Sequence, residues 1–164
     1  LFQVIDDSRE VRVIYTARGM SKLELVTEEV LRGKYGITAA QYADYAVLRG
    51  DTSDGLPGVS GIGEKTAGSL LREFGDLDAI IAAAKAGPST PLSPSVKAKI
   101  RAAADYLTKA PEVVRVASEL DLPDFDARIA IPEGGHDAIA ALAEKWSLGS
   151  SVTRVVAALD AIAK

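Results

Sequence analysis

The residues most able to do chemistry lie close together, in "GDTSDGLPGVSGIGEKTAGSLL", residues 50–71. Asp51 and Asp54 are three apart in a stretch of turn-forming residues. That spacing can aim both carboxylates at one point, and hard divalent cations such as Mg²⁺ or Mn²⁺ prefer oxygen ligands of this kind. Seven residues after Asp54 comes Gly61, then Ile62 and Gly63. Glycines let a backbone turn tightly and approach a ligand with no Cβ in the way. An apolar helical pattern starts near Glu64, so unpaired helix N–H groups face the same spot, with Lys65 and Thr66 adding a cation and a hydroxyl. Such a helix start suits a phosphodiester and asks nothing of base sequence.

Taken singly, each feature also has a structural explanation. Gly-x-Gly serves as a helix–helix turn, and Asp and Ser cap turns. It is not a Walker loop, because four residues do not separate the first Gly from a Gly-Lys-Ser/Thr. The dinucleotide pattern fails for want of a third Gly among residues 64–67. The two features together are what a metal-dependent nuclease requires: one part holds the strand while the other activates water and offsets charge on the phosphate.

These residues must be positioned by mostly helical elements. "LFQVI" (1–5) and "VRVIYT" (11–16) flank the turn-forming "DDSRE" and predict a short β-hairpin. Thr27 is expected to cap "EEVLRGKY", which Gly36 ends. Thr38 and Gln41 have capping-box spacing ahead of a helix that Gly50 closes. A further helix is expected over 64–74, ended by Gly75, and another after Asp76, ended by Gly87. Beyond the loop "GPSTPLSP", "SVKAKIRAAADYLTKA" reads as one amphipathic helix and Pro111 as the start of the next. Two amphipathic helices, about 137–146 and 151–163, complete the chain. The expected fold class is mainly α with a short β-hairpin, in one compact unit.

The 164 residues carry a net charge of −4, divided evenly along the chain, which argues against a broad nucleic-acid-binding surface but leaves room for a local one. No cysteine is present, so thiolate metal sites are excluded and a reducing compartment fits. No apolar run approaches the ~18 residues that span a bilayer. The chain opens on Leu1 inside a strand-like apolar run and is expected to begin within a larger protein.

The stretches "LFQVIDDSREVRVI", "VTEEVLRGKYGITAAQYADYAVLRGDTSDGLPGVSGIGEKTAGSLLREFGDLDAI" and, more loosely, "LSPSVKAKIRAAADYLTKAPEVVRVASEL" resemble the C-terminal half of bacterial 5'→3' exonucleases of the flap endonuclease family, which occur free-standing and as the N-terminal domain of DNA polymerase I. The Gly-Asp-x-Ser-Asp-x-x-Pro-Gly-Val-x-Gly-Ile-Gly-x-Lys-Thr-Ala core carries the likeness. The resemblance implies the helix-hairpin-helix portion of an α/β nuclease fold. Residues 1–26 would form a hairpin edge of the parent sheet, and 27–164 a helical domain with the helix-hairpin-helix at about 39–75. It further implies structure-specific hydrolysis of DNA at 5' flaps, nicks and gaps in replication and repair, in the bacterial cytoplasm at the nucleoid.

The family uses two divalent ions, and Asp51 and Asp54 match the pair assigned to the second. The hairpin would bind duplex backbone through Ser60, Gly61, Gly63, Lys65 and Thr66, with a potassium ion near Val59, Ser60 and Ile62. The first-ion carboxylates and the helical arch lie upstream of the matched part. The chain is therefore expected to hold half of an active site, to bind DNA weakly alone and to cleave nothing. The alternatives are a non-catalytic helix-hairpin-helix module, which has no use for Asp51 and Asp54, and a structural interaction module, in which Gly61, Gly63 and Lys65 would be replaceable.

Other residues have simpler readings. Trp146 is expected in the core or at its edge, and His136 in a solvent-facing loop. At least one of Tyr42 and Tyr45 packs inward, and Tyr42 could border the metal site. Arg49, Lys34 and Arg72 could extend a phosphate track, or be ordinary solvated charges. Asp121, Asp124 and Asp126 read as surface.

Overall fold

The computed structural model describes residues 1–17, 19–87, 89–124, 126, 129 and 131–162. It is mostly helical, with one two-stranded antiparallel sheet among the described residues. The expectation of a single unit is corrected: the chain divides into Leu1–Leu120 and Asp121–Lys164. No helix of the described residues is long and apolar enough to cross a membrane.

In the first unit, strand β1 (Val13–Tyr15) pairs with β2 (Glu24–Val26), Val13 opposite Val26 and Tyr15 opposite Glu24. The hairpin expected between 1–5 and 11–16 is therefore re-paired. Phe2–Val4 forms a 3₁₀ turn, and the backbone pairing at this end is an isolated Asp6–Val11 bridge, with the Phe2 and Tyr15 rings packed edge to face. Asp6 accepts from the Ser8 amide and hydroxyl, which winds residues 7–9 into a second 3₁₀ turn and stops the ladder there.

Helix α1 (Glu28–Tyr35) starts as expected, with the Thr27 hydroxyl accepting from the Val30 N–H, and stops at left-handed Gly36. Before α2 (Tyr42–Arg49), half of the capping box forms, with Gln41 Oε1 accepting from the Thr38 N–H at 3.0 Å. The same side chain donates through Nε2 to the carbonyls of Leu71 (3.0 Å) and Gly75 (2.7 Å), tying the start of α2 to the end of α3 (Glu64–Phe74). Asp76 caps α4 (Leu77–Lys85) by accepting from the Ala79 N–H at 2.8 Å. Ser93 caps α5 (Pro94–Ala102), with Pro94 in its first turn where a missing N–H costs nothing.

Pro111 does not start a helix. It lies inside α6 (Ala104–Val114), and the break that the sequence does not mark falls at Ala103, whose N–H is shared between the Lys99 and Ile100 carbonyls. Helix α6 tolerates the proline because it buries Leu107 and Ala110 in the core, so packing outweighs one lost backbone bond.

The main core joins Tyr45, Val47 and Leu48 of α2 to Leu70 and Leu71 of α3, Ile80 of α4, Ile100 of α5 and Leu107 of α6. A smaller cluster of Ile5, Val26, Leu31 and Ala39 seats the sheet on α1. Helices α1 and α3 approach closely because Gly68 faces the Tyr35 carbonyl oxygen, which would stand 2.5 Å from a Cβ at that position.

The second unit holds α7 (Gly135–Lys145) and α8 (Ser150–Ile162), close to the expected helices. His136 is in the first turn of α7 rather than a loop, with Nε2 2.9 Å from Asp160 Oδ1. Trp146 is exposed rather than in a core, with the Lys145 ammonium 5.4 Å from its ring centroid. Trp146 directly follows the last turn of α7, and neither α7 nor α8 has a fully buried residue, so these helices offer no buried core for it to join.

Candidate carboxylate pair and backbone hairpin

Helix α2 delivers the chain to Asp51. Gly50 ends the helix at φ 83°, and a turn then closes on itself: the Asp51 N–H donates to the Leu56 carbonyl at 2.9 Å and the Leu56 N–H to the Asp51 carbonyl at 2.8 Å. Inside that loop the Asp54 N–H donates to the Asp51 carbonyl at 3.2 Å, which brings the second aspartate back over the first. Both side chains line one cavity of about 220 Å³, together with Leu1, Gln3, Tyr42 and Val114. Tyr42 thus borders the carboxylate pair, while Tyr45 packs fully inward.

Asp51 is prepared to stay ionised. Its Oδ1 accepts from the Ser53 hydroxyl at 2.6 Å and the Ser53 N–H at 3.1 Å, and its Oδ2 from Arg49 Nη2 at 3.3 Å. The Ser53 hydroxyl bond, with the Arg49 charge adding to it, holds the carboxyl below the usual carboxylate range. The exposed Asp54 carboxylate takes no hydrogen bond from the described residues. This donor set is all oxygen and anionic, which fits a hard divalent ion. It is also small: among the described residues no three His, Cys, Asp or Glu side chains stand close enough together to hold a metal.

The hairpin follows directly. Val59 and Ile62 point inward, each 3% exposed, and anchor it in the main core. The Val59 N–H donates to the Leu48 carbonyl at 2.9 Å, and the Ile62 N–H to the Val59 carbonyl at 2.9 Å, closing the turn. Ser60, Gly61, Gly63 and Lys65 are exposed and Thr66 half-buried. Gly61 sits at φ 74°, a conformation that glycine adopts without strain. Gly63 precedes α3 with no side-chain cap and with open space at its Cβ position, which leaves the first N–H groups of α3, beside Lys65, without a side-chain partner among the described residues.

The sequence expectations for cations separate here. Arg49 is committed to Asp51 and also lies over the Tyr45 ring, 5.4 Å from its centroid. Lys34 pairs with Glu24, and Arg72 donates to the Ser69 hydroxyl at 3.0 Å. Asp121 and Asp124 are exposed, as is Asp126.

Two positioning residues were not legible in the sequence. The Tyr106 hydroxyl on α6 accepts from the Gly58 N–H at 3.3 Å and donates to the Val47 carbonyl at 2.9 Å, clamping the hairpin to α2. Asp44, 5% exposed, accepts from the Leu77 N–H at 3.0 Å and from Arg115 at 3.3 Å, joining α2 to the start of α4. Both act across more than 30 residues, where no spacing rule applies.

The family model for the 5'-3' exonuclease, C-terminal SAM fold, matches residues 37–133. A 5'-3' exonuclease of Streptomyces coelicolor is 52% identical over 163 residues, covering 98% of this chain and 53% of that protein. One from Mycobacterium tuberculosis is 40% identical over 169 residues, covering 99% and 53%. The thermostable DNA polymerase I of Thermus aquaticus is 39% identical over 127 residues, covering 77% of this chain and 14% of the polymerase. The chain thus spans about half the length of the two exonucleases it matches. Its fold is similar to that of the T5 D15 protein, whose crystal structure was determined with metal ions, at a TM-score of 0.54 and 17% identity over 99% of this chain and 50% of that one. With its family model matched from Ile37 through the carboxylate pair and the hairpin, the chain belongs to the 5'-3' exonuclease family.

Proposed function

We propose that this chain is the DNA-holding half of a metal-dependent 5' nuclease, one that hydrolyses phosphodiesters at 5' flaps, nicks and gaps during replication and repair. The carrying observation is that Asp51 and Asp54 face one small cavity at the foot of a hairpin whose outer atoms are glycine backbone and helix N–H groups. Asp51 and Asp54 would hold the second of two divalent ions, Mg²⁺ or Mn²⁺. When bound, such an ion activates water and offsets charge on the reacting phosphate. Ser60, Gly61, Gly63, Lys65 and Thr66 hold the duplex backbone without reading bases. A potassium ion at Val59, Ser60 and Ile62 would add to that grip.

Two carboxylates make an incomplete site, so the remaining ligands come from an upstream half, and this chain alone binds DNA weakly and does not cleave it. Residues 1–26 serve as an edge of the nuclease sheet, and about 39–75 as the helix-hairpin-helix. The intact enzyme works in the bacterial cytoplasm at the nucleoid. The lack of a third ligand among the described residues favours, as a second reading, a non-catalytic binding module.

Binding of a nicked duplex by the chain, followed by fluorescence anisotropy, tests the grip. Gly63→Val with Lys65→Ala is expected to weaken it severalfold while leaving the fold intact by circular dichroism. Unchanged affinity in that variant would point to a structural module instead.

A further inference from the structure

Helix α5 carries three cations, Lys97, Lys99 and Arg101, and they do not share one task. Lys97 donates to the Gly87 carbonyl at 2.7 Å, and Arg101 to the carbonyls of Ala84 at 2.6 Å and Ala86 at 3.4 Å. Those two meet the C-terminal end of α4, where exposed carbonyls and the helix dipole favour positive charge. Lys99 turns elsewhere. Its ammonium donates to the carbonyl of Gly61, at the tip of the hairpin and 38 residues away in sequence, at 2.9 Å.

Three features make this contact more than a structural strut. An ammonium has three donors, and Gly61 takes one of Lys99's. No described carboxylate pairs with it, whereas Lys34, Arg49 and Arg115 are neutralised by Glu24, Asp51 and Asp44. Moreover the bare α-carbon of Gly61 leaves room for it, since a Cβ there would stand 2.8 Å from the Lys99 ammonium nitrogen and push the side chain aside. Gly61 and Gly63 are two residues apart, at most about 7 Å of chain. An unneutralised cation is therefore held within a nucleotide or so of the uncapped N–H groups that open α3.

We propose that Lys99 is a phosphate-binding residue of the hairpin: it contacts a backbone phosphate of the same strand that the start of α3 holds, and is kept in place by the Gly61 carbonyl. The inference rests on the DNA reading above and adds to it a residue from a helix outside the helix-hairpin-helix. The sequence hides it, because Lys99 sits in a basic helix whose other two cations serve α4.

The test is the salt dependence of nicked-duplex binding by the chain, with Lys99→Gln and Lys99→Arg beside the wild type. Each phosphate neutralised by a cation contributes about −0.9 to the slope of log affinity against log salt. Lys99→Gln is expected to flatten the slope by roughly that amount and to weaken binding about threefold to tenfold at low salt, while Lys99→Arg keeps the slope. If Lys99 served only to shape the hairpin, Lys99→Gln would weaken binding with an unchanged slope, and that result would overturn the proposal. Loss of binding on Gly63→Val with Lys65→Ala but an unaltered Lys99→Gln slope would overturn the role of Lys99 alone. Absence of wild-type binding would overturn the DNA reading, and this inference with it.

Discussion

Gly50 and Gly58 are in backbone contact: a Cβ on Gly50 would stand 2.8 Å from the Gly58 nitrogen, and one on Gly58 would stand 2.6 Å from the Arg49 carbonyl and the Gly50 nitrogen. The loop carrying Asp51 and Asp54 leaves α2 at the first glycine and returns to it at the second. The carboxylates therefore owe their position to two residues that have no side chain.

Gly50→Ala and Gly58→Ala are each expected to destabilise the chain by about 2 kcal/mol or more, because left-handed strain of about 1–2 kcal/mol adds to a collision with backbone that cannot swing away. Gly55→Ala, at φ 72° but facing open space, carries the strain alone. Urea denaturation of the three variants checks the order, and equal losses would contradict the contact.

Tyr106→Phe removes the hydroxyl that joins Gly58 to Val47 while keeping the ring. The carbonyl and N–H left behind cost about 1–3 kcal/mol between them. Amide exchange at Gly58 is expected to rise together with this loss. Unaltered exchange would show that Tyr106 does not clamp the hairpin.

Tyr45 is fully buried, and among the described residues its hydroxyl has no hydrogen-bond partner of good geometry, the Arg49 guanidinium lying over its ring instead. Desolvation, with a smaller contribution from the Glu64 charge, pushes its pKa up to about 12. An unfolded tyrosine ionises near 10, so the folded state binds the proton more tightly. The contribution to stability is fully present below about pH 10 and is lost as pH rises from about 10 towards 12. Tyr45→Phe is expected to raise stability at neutral pH by up to about 1 kcal/mol, since an unpaired buried hydroxyl is removed, and to reduce the alkaline loss. Denaturation midpoints across that range measure both effects, and a wild-type curve identical to that of Tyr45→Phe would contradict them.

What the sequence made legible was local. Thr27, Gly36, Gly50, Gly75 and Asp76 each mark a helix end within a few residues of themselves, and each stands at the end it was expected to mark. The strand partner of "VRVIYT" was misplaced because pairing joins distant segments. A turn-forming "DDSRE" looked sufficient, yet Val13 pairs with Val26 across a longer connection. Pro111 misled for the opposite reason, because a local rule about proline was overruled by the burial of Leu107 and Ala110. The closeness of Asp51, Asp54 and the glycine hairpin was legible from residue types and spacing. Tyr106 and Asp44, which tie α2 to the hairpin and to α4, were not, nor was Lys99, which reaches the hairpin tip from α5, because each contact joins residues more than 30 apart.

The most direct measurement is Mg²⁺- or Mn²⁺-dependent cleavage of a 5'-flap duplex by the chain alone and by the chain joined to the upstream half of the nuclease, each with and without Asp51→Ala plus Asp54→Ala. Cleavage by the joined form only, reduced by about 10²-fold or more in the double variant, is the expected result. Undiminished cleavage by the joined double variant would contradict the metal-binding role of the two aspartates, and cleavage by the chain alone would contradict the half-site.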